Sequence, residues 1–205
     1  MAQVDVTWQV EDGARHNFSP ASIPHAKGLY VASAPCADLP GWGMGETDID
    51  ARMMSLTSWL DLLCQCKIKH VLCLMGHEEA ERKFGSLGDG GLEKTVRGQG
   101  LSYAQVAVSE EAGAPLSPAD LAAALRTLRA LKPSEESVVI ICRDGRSVAA
   151  AVAASWLILE CGQAMDTALS AVADSAQKAG AWRTPLEAFE NSREAFSAAL
   201  AAANT

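Results

Sequence analysis

Long apolar segments and excess positive charge are both missing from this 205-residue sequence. No window contains about 18 consecutive apolar residues, so the sequence predicts no membrane-spanning helix. The first five residues lack a basic segment followed by an apolar one, which argues against a secretory signal peptide. The formal net charge of −8 at pH 7 argues against non-specific binding to nucleic acid. We therefore expect neither a membrane nor a nucleic acid among its partners.

Cysteine spacings typical of zinc sites are missing as well. Six cysteines occur at irregular intervals, namely Cys36, Cys64, Cys66, Cys73, Cys142 and Cys161. Cys64 and Cys66 form a C-x-C pair that no second Cys or His pair complements, so we expect no metal site. Cysteines without a disulfide framework are typical of a reducing compartment. The sequence thus predicts free thiols and a cytoplasmic location.

Two stretches begin like known motifs but do not complete them. Residues 77–81 read H-E-E-A-E, so the second His of the metalloprotease motif H-E-x-x-H is absent. Residues 84–91 are rich in Gly, but the Lys-Ser/Thr pair of a phosphate-binding P-loop does not follow them. We therefore expect no cofactor.

The composition that is present indicates one globular domain. Apolar residues make up 49% of the chain and charged residues 20%, so we assign residues 1–205 to a single domain with one substantial core. Apolar or alternating runs predict strands at 4–10, 29–32, 71–75, 103–108 and 138–141. Periodic segments and capping residues predict helices at 47–66, 92–97, 118–131, 148–160, 163–178 and 185–202, with residues 11–27 irregular. This alternation predicts an α/β fold, with a mostly parallel central sheet flanked by helices.

The most informative stretch is residues 137–161. It opens with V-V-I-I at 138–141, a β-branched run typical of a strand that is buried on both faces of a parallel sheet. A turn of sequence C-R-D-G-R-S follows, and an Ala-rich apolar helix begins directly after it. Because the free amides of a first helical turn attract anions, this pattern predicts an anion site. Cys142, the first residue of the turn, should be a nucleophile with a lowered pKa.

Several short motifs follow one another in a familiar order. They are L-Y-V-A-S-A-P at 29–35, I-K-H-V-L-C-L at 68–74, G-L-S-Y at 100–103, E-E-A-G-A-P at 110–115, the Cys142 turn with its helix, and R-T-P at 183–185. Together they resemble the dual-specificity branch of the cysteine-dependent protein phosphatases, in particular the kinase-associated phosphatase type. The resemblance covers residues 28–191 and leaves residues 1–27 as an N-terminal extension. It implies a phosphatase-like α/β fold.

The resemblance also implies roles for individual residues. In that family a Cys attacks phosphorus, an Arg holds the phosphate oxygens, and an upstream acid protonates the leaving group. Carried over to this chain, Cys142 is the nucleophile and Arg146 is the phosphate clamp. Ser147 would help to release the phosphoenzyme. Glu111, or else Glu110, falls where the acid belongs.

The turn between nucleophile and clamp is two residues shorter than in that family. Only Arg143, Asp144 and Gly145 lie between Cys142 and Arg146, and these three are the remaining candidates for binding phosphate. The residue before the Cys is Ile instead of the usual His, and the acid is Glu instead of Asp. A phosphate dianion needs donors at about 2.7–3.1 Å from its oxygens, and a three-residue connection supplies fewer amides. We therefore expect weak or absent catalysis.

Three functions fit these residues. The sequence favours a weak or inactive pseudophosphatase that acts as a binding or scaffold protein for a phosphoprotein or another protein. The first alternative is an active dual-specificity or tyrosine phosphatase, a hydrolase of phosphate monoesters that works through a phosphocysteine. The second is a rhodanese-like sulfurtransferase, because C-R-D-G-R-S before an Ala-rich helix also resembles a rhodanese loop, in which Cys142 would carry a persulfide. Purely structural roles stay open too: Cys142 as a core thiol, and Arg143 with Arg146 as surface cations that neutralise Asp144.

Overall fold

A five-stranded sheet forms the centre of the fold in the computed structural model, which describes residues 14–40, 48–85, 90–108 and 115–204. The strands are β1 (Ser19–Ser22), β2 (Ala26–Ser33), β3 (His70–Cys73), β4 (Ser102–Gln105) and β5 (Val138–Cys142). They lie in the order β1-β2-β5-β3-β4, in which β1 is antiparallel to β2 and all other neighbours are parallel. The prediction of an α/β fold with a mostly parallel sheet is confirmed, and β5 is its central strand.

Helices cover both faces of this sheet. They are α1 (Ile49–Gln65), α2 (His77–Phe84), α3 (Gly91–Gly98), α4 (Pro118–Leu131), α5 (Val148–Leu159), α6 (Met165–Lys178), a 3₁₀ helix (Pro185–Phe189) and α7 (Arg193–Ala203). One core forms between the sheet and α1 to α3, and a second forms between the sheet and α4 to α7. Among the residues that the structure describes, no helix has the length and apolar character needed to cross a bilayer.

The side chains of β5 alternate between these two cores, because successive residues of a strand point to opposite faces. Val138, Ile140 and Cys142 belong to the core shared with α4 to α7. Val139 and Ile141 belong to the core shared with α1 to α3. The β-branched run is therefore buried on both faces, as predicted, and Cys142 lies on the side of the sheet that α5 covers.

Helix α5 is buried on nearly every side, as expected of a helix that is apolar all round. Residues 149–155 and Leu157 are all buried, and the helix contacts β1, β2, β5 and α6. The small Ala side chains let the helix approach the sheet closely. This packing fixes the first turn of α5 directly after the Cys142 turn.

The strand predictions fail at the beginning of the chain and at one sheet edge. Residues 11–27 were expected to be irregular, but they contain β1, which pairs with β2 and bulges between Pro20 and Ser22. Strand β4 ends at Gln105, earlier than position 108, because β3, its neighbour among the described strands, ends at Cys73. The strand predicted at 4–10 lies outside the described residues.

The helix predicted at 185–202 is not continuous. A 3₁₀ helix comes first, and Glu190 and Asn191 then adopt φ values of 54° and 59°, which no α-helix can contain. The sequence T-P-L-E at 184–187 predicts a capping box at the start of this helix. That prediction is also wrong, because the Thr184 side chain makes no capping hydrogen bond. Helix α7 has its own cap, in which the Ser192 hydroxyl accepts from the Ala195 N–H at 3.1 Å.

Candidate active site at the Cys142 turn

The turn after β5 is held in place by three distant segments. The Cys142 carbonyl accepts from the Ala34 N–H at 2.8 Å, and the Arg146 carbonyl accepts from the Thr184 N–H at 2.9 Å. The amide of Asn17 donates to the Asp144 carbonyl at 2.7 Å. The turn is therefore fixed both by the end of β2 and by the chain that enters the 3₁₀ helix.

Cys142 is buried, with 5% of its surface exposed. Burial and the neighbouring Asp144 carboxylate raise the pKa of the thiol to about 12, although the amides of Ala149, Gly145 and Asp144 act in the opposite direction. The prediction of a lowered pKa is therefore wrong. The helix amides are present as expected, but desolvation of the sulfur and one negative charge outweigh them.

Asp144 lies directly against the thiol. Its Oδ1 accepts the Cys142 S–H at 3.7 Å and also accepts the Arg146 backbone N–H at 2.9 Å. A carboxylate of this chain thus uses an amide and a thiol that the resemblance would assign to phosphate. The sequence showed the charge of Asp144 but not that its side chain turns toward Cys142.

Arg146, the predicted clamp, stacks on an indole ring. Its guanidinium carbon lies 5.9 Å from the centroid of the Trp182 ring, a cation–π distance. Among the described residues, no carboxylate forms a salt bridge with Arg146. Trp182 itself is 64% exposed. The guanidinium therefore sits at the surface beside Trp182 in this structure.

Arg143 is bound to helix α2 by an ion pair. Its Nε donates to Oε1 of Glu79 at 2.6 Å, and this bond raises the pKa of the Arg143 guanidinium. Glu79 is only 7% exposed and also lies 3.9 Å from Nζ of Lys83. The loop after β3 and the loop after β5 thus meet at the carboxyl edge of the sheet, as the parallel strands require.

The two remaining predicted site residues of the turn, Gly145 and Ser147, shape the backbone where the turn enters α5. Gly145 has a φ of 69°, and a Cβ there would lie 2.5 Å from the carbonyl carbon of Ala32, so only glycine fits. Ser147 is the N-cap residue of α5, but its side chain makes no capping hydrogen bond. Glu110 and Glu111 lie outside the described residues, and their role as acid stays a prediction.

Sequence reasoning missed one buried residue close to the site, Arg183. Arg183 is 5% exposed, and its guanidinium donates to the carbonyls of Asn17, Val31 and Trp182 and to the Ser19 hydroxyl. Burial lowers the pKa of this guanidinium to about 10. Arg183 was noted only as part of R-T-P, and no local pattern indicates that an Arg at this place enters the core.

A cleft of about 430 Å³ lies over the turn. Its polar lining residues are Arg15, Asn17, Ser33, Asp38, Asp144 and Arg146, and Trp182 forms one wall. Cys142 is not part of the lining, whereas Asp144, which accepts from the Cys142 thiol, is. Among the described residues, no group of three or more Cys, His, Asp or Glu side chains could hold a metal ion.

Comparison with known proteins places the fold. No protein-family model and no curated protein matches the chain. Among solved structures, PTPMT1 is 14% identical with a TM-score of 0.55, over 91% of this chain and 98% of the other. Human DUSP28 is 15% identical with a TM-score of 0.52, over 91% of each chain. The human tyrosine phosphatase-like serine/threonine/tyrosine-interacting protein is 13% identical with a TM-score of 0.51, over 85% of this chain and 89% of the other.

These similarities define the class of the fold. The chain has the α/β fold of the dual-specificity and tyrosine phosphatases, and the predicted phosphatase-like fold is confirmed. Identities of this size establish the fold and leave the chemistry to the residues themselves. The kinase-associated type stays a prediction.

Proposed function

We propose that this phosphatase-fold protein is a weak or inactive phosphatase that binds a protein partner at the cleft over the Cys142 turn. The observation that carries the proposal is the burial of the Cys142 thiol together with its contact to Asp144. The sulfur is buried beneath Asp144, and the pKa of Cys142 is raised to about 12. A thiol that is buried and whose pKa is raised is a poor nucleophile.

The raised pKa argues for a weak enzyme. Burial and the Asp144 carboxylate hold the Cys142 thiol in its protonated form at pH values where a free cysteine would already ionise. Only the thiolate attacks phosphorus efficiently. The clamp adds to the loss, since Arg146 stacks on Trp182 and a misplacement of about 1 Å can cost about 100-fold in rate.

The cleft supports a binding role through its chemistry. Arg15 and Arg146 supply two guanidinium groups, and Trp182 supplies an exposed aromatic surface. Trp and Arg are frequent anchors at protein interfaces, and guanidinium groups recognise carboxylate and phosphate. We propose a phosphoprotein or another protein as the partner, bound by the side chains of Arg15, Arg146 and Trp182. The backbone amide of Arg146 takes no part, because the Asp144 carboxylate already accepts from it. The six cysteines are free thiols, which supports a reducing, cytoplasmic location for this role.

The test is a turnover assay with p-nitrophenyl phosphate on native protein, on Cys142→Ser and on the control Cys64→Ser, which removes an exposed thiol of α1. We expect a native rate far below about 1 s⁻¹, with any residual rate lost in Cys142→Ser and kept in Cys64→Ser. A native rate of about 1 s⁻¹ or more that only Cys142→Ser abolishes would establish the alternative, an active dual-specificity or tyrosine phosphatase. Exchange of Glu110 and Glu111 for Gln should then lower that rate.

The sulfurtransferase alternative meets the same obstacle. A persulfide on Cys142 also requires attack by the thiolate, which the raised pKa disfavours. The same three proteins assayed with thiosulfate and cyanide decide this point. Thiocyanate production that depends on Cys142 would establish sulfur transfer, and we expect none.

A further inference from the structure

One carboxylate occupies the place where the Cys142 turn could receive an outside anion. Oδ1 of Asp144 is 2.9 Å from the Arg146 backbone nitrogen and 3.7 Å from the Cys142 sulfur. The Asp144 side chain lines the cleft, and the sulfur beneath it does not. An anion that enters the cleft toward Cys142 therefore meets a negative charge before it meets the turn.

The backbone around Asp144 fixes this arrangement. The Asn17 amide group bridges two segments, since Nδ2 donates to the Asp144 carbonyl at 2.7 Å and Oδ1 accepts from the Trp182 N–H at 2.8 Å. On the other side, Gly145 packs against the backbone of Ala32. The backbone that carries the carboxylate is thus held by Asn17 and by the end of β2.

A second, independent observation comes from Arg183. This guanidinium is buried, its hydrogen bonds go to neutral oxygens, and its Nε has no hydrogen-bond partner among the described residues. A buried cation without compensation is costly. The negative charges that favour its ionised form are those of the Cys142 thiolate and of Asp144. Arg183 is therefore a buried positive charge close enough to the turn to favour an anion there, whether Asp144 or a bound oxyanion.

We propose that Asp144 is an internal competitor, whose carboxylate fills the anion site of the Cys142 turn and excludes tetrahedral oxyanions such as phosphate or tungstate. This inference rests on the proposed function, because it explains why the turn neither binds nor hydrolyses phosphate readily. The inference predicts that the Asp144 side chain weakens anion binding at the turn as much as the short length of the turn does.

The test uses Asp144→Ser in the full chain. Serine removes the charge and the reach of the carboxylate, while its hydroxyl can still accept from the Arg146 N–H. We expect tungstate to bind this variant at least about tenfold more tightly than the native protein by calorimetry. We also expect bound tungstate to slow the alkylation of Cys142 by iodoacetamide, followed by peptide mass spectrometry. Asp144→Asn keeps the shape of the side chain and removes its charge, so we expect it also to bind tungstate more tightly than the native protein. It replaces Asp144→Ser in the test if serine disturbs the turn.

Asp174→Asn is the matched control, because it removes one negative charge from the exposed surface of α6. Equal tightening in this control would attribute the effect to net charge and overturn the proposal. So would an Asp144→Ser variant that folds but binds no more tightly than native protein, or tight binding without protection of Cys142. A native rate of about 1 s⁻¹ or more in the phosphate assay would instead contradict the proposed function, so the two failures are distinct.

Discussion

Gly145 is the residue whose replacement most directly tests the shape of the turn. A left-handed φ of 69° suits glycine, and the backbone of Ala32 lies where a Cβ would be. The contact ties the turn to the end of β2 and so brings Asp144 over the sulfur. The position is therefore structural, although the resemblance would assign it to phosphate binding.

Gly145→Ala should lower the free energy of unfolding by about 2 kcal/mol or more, because strained φ and a backbone clash add. Gly98→Ala is the control, since a Cβ at this position in α3 meets nothing within 4 Å. That variant should be neutral or more stable by about 0.5–1 kcal/mol. Urea denaturation of both variants measures the difference, and equal stabilities would contradict the close approach to Ala32.

At the scale of the elements, the break between the 3₁₀ helix and α7 shows how a local pattern can mislead. T-P-L-E at 184–187 is a good capping sequence, yet the Thr184 hydroxyl is buried without a hydrogen-bond partner among the described residues. The Thr184 backbone N–H is engaged with the Arg146 carbonyl, so tertiary contact with the Cys142 turn decides the conformation here. The functional cap, at Ser192, lies eight residues further on.

Two substitutions separate these caps. Ser192→Ala should lower the free energy of unfolding by about 1 kcal/mol, because it removes the acceptor for the Ala195 N–H. Thr184→Val should be neutral or stabilising, because it keeps the shape and removes an unsatisfied hydroxyl. Chemical denaturation followed by circular dichroism gives both values. A larger loss for Thr184→Val than for Ser192→Ala would restore the capping box that the sequence suggests.

At the scale of the whole molecule, the parts that could be predicted are those that depend on neighbours in sequence. The β-branched run, the six-residue turn and the Ala-rich helix each carry their signal within a few residues. Their order therefore located the central strand correctly, and the site at its end stays a prediction. The phosphatase-like fold followed from motifs spread over residues 28–191, and the structure confirms it.

The chemistry of the site could not be predicted, because it depends on contacts between distant parts of the chain. Asn17 and Asp144 are 127 positions apart, and Asn17 and Trp182 are 165 apart. The partner of Arg143, Glu79, lies 64 positions away. The turn alone suggests an activated thiol, whereas burial from these segments and the direction of Asp144 produce the opposite pKa shift.

Stability at alkaline pH provides a test of this buried arrangement as a whole. The pKa of Cys142 is raised from 9.0 to about 12, and that of Cys36 to about 11, in both cases chiefly by burial. Above pH 9 the unfolded chain loses these protons and the folded chain keeps them, so the free energy of unfolding must fall as pH rises toward 11 or 12. Each such thiol lowers the free energy of unfolding by at most about 1.4 kcal/mol per pH unit in this window, and by nothing below it.

Urea midpoints of the native protein at pH 8, 9 and 10 should therefore decline only above pH 9. Cys142→Ala should show a shallower decline, and an unchanged slope would mean that the Cys142 thiol is not buried as described.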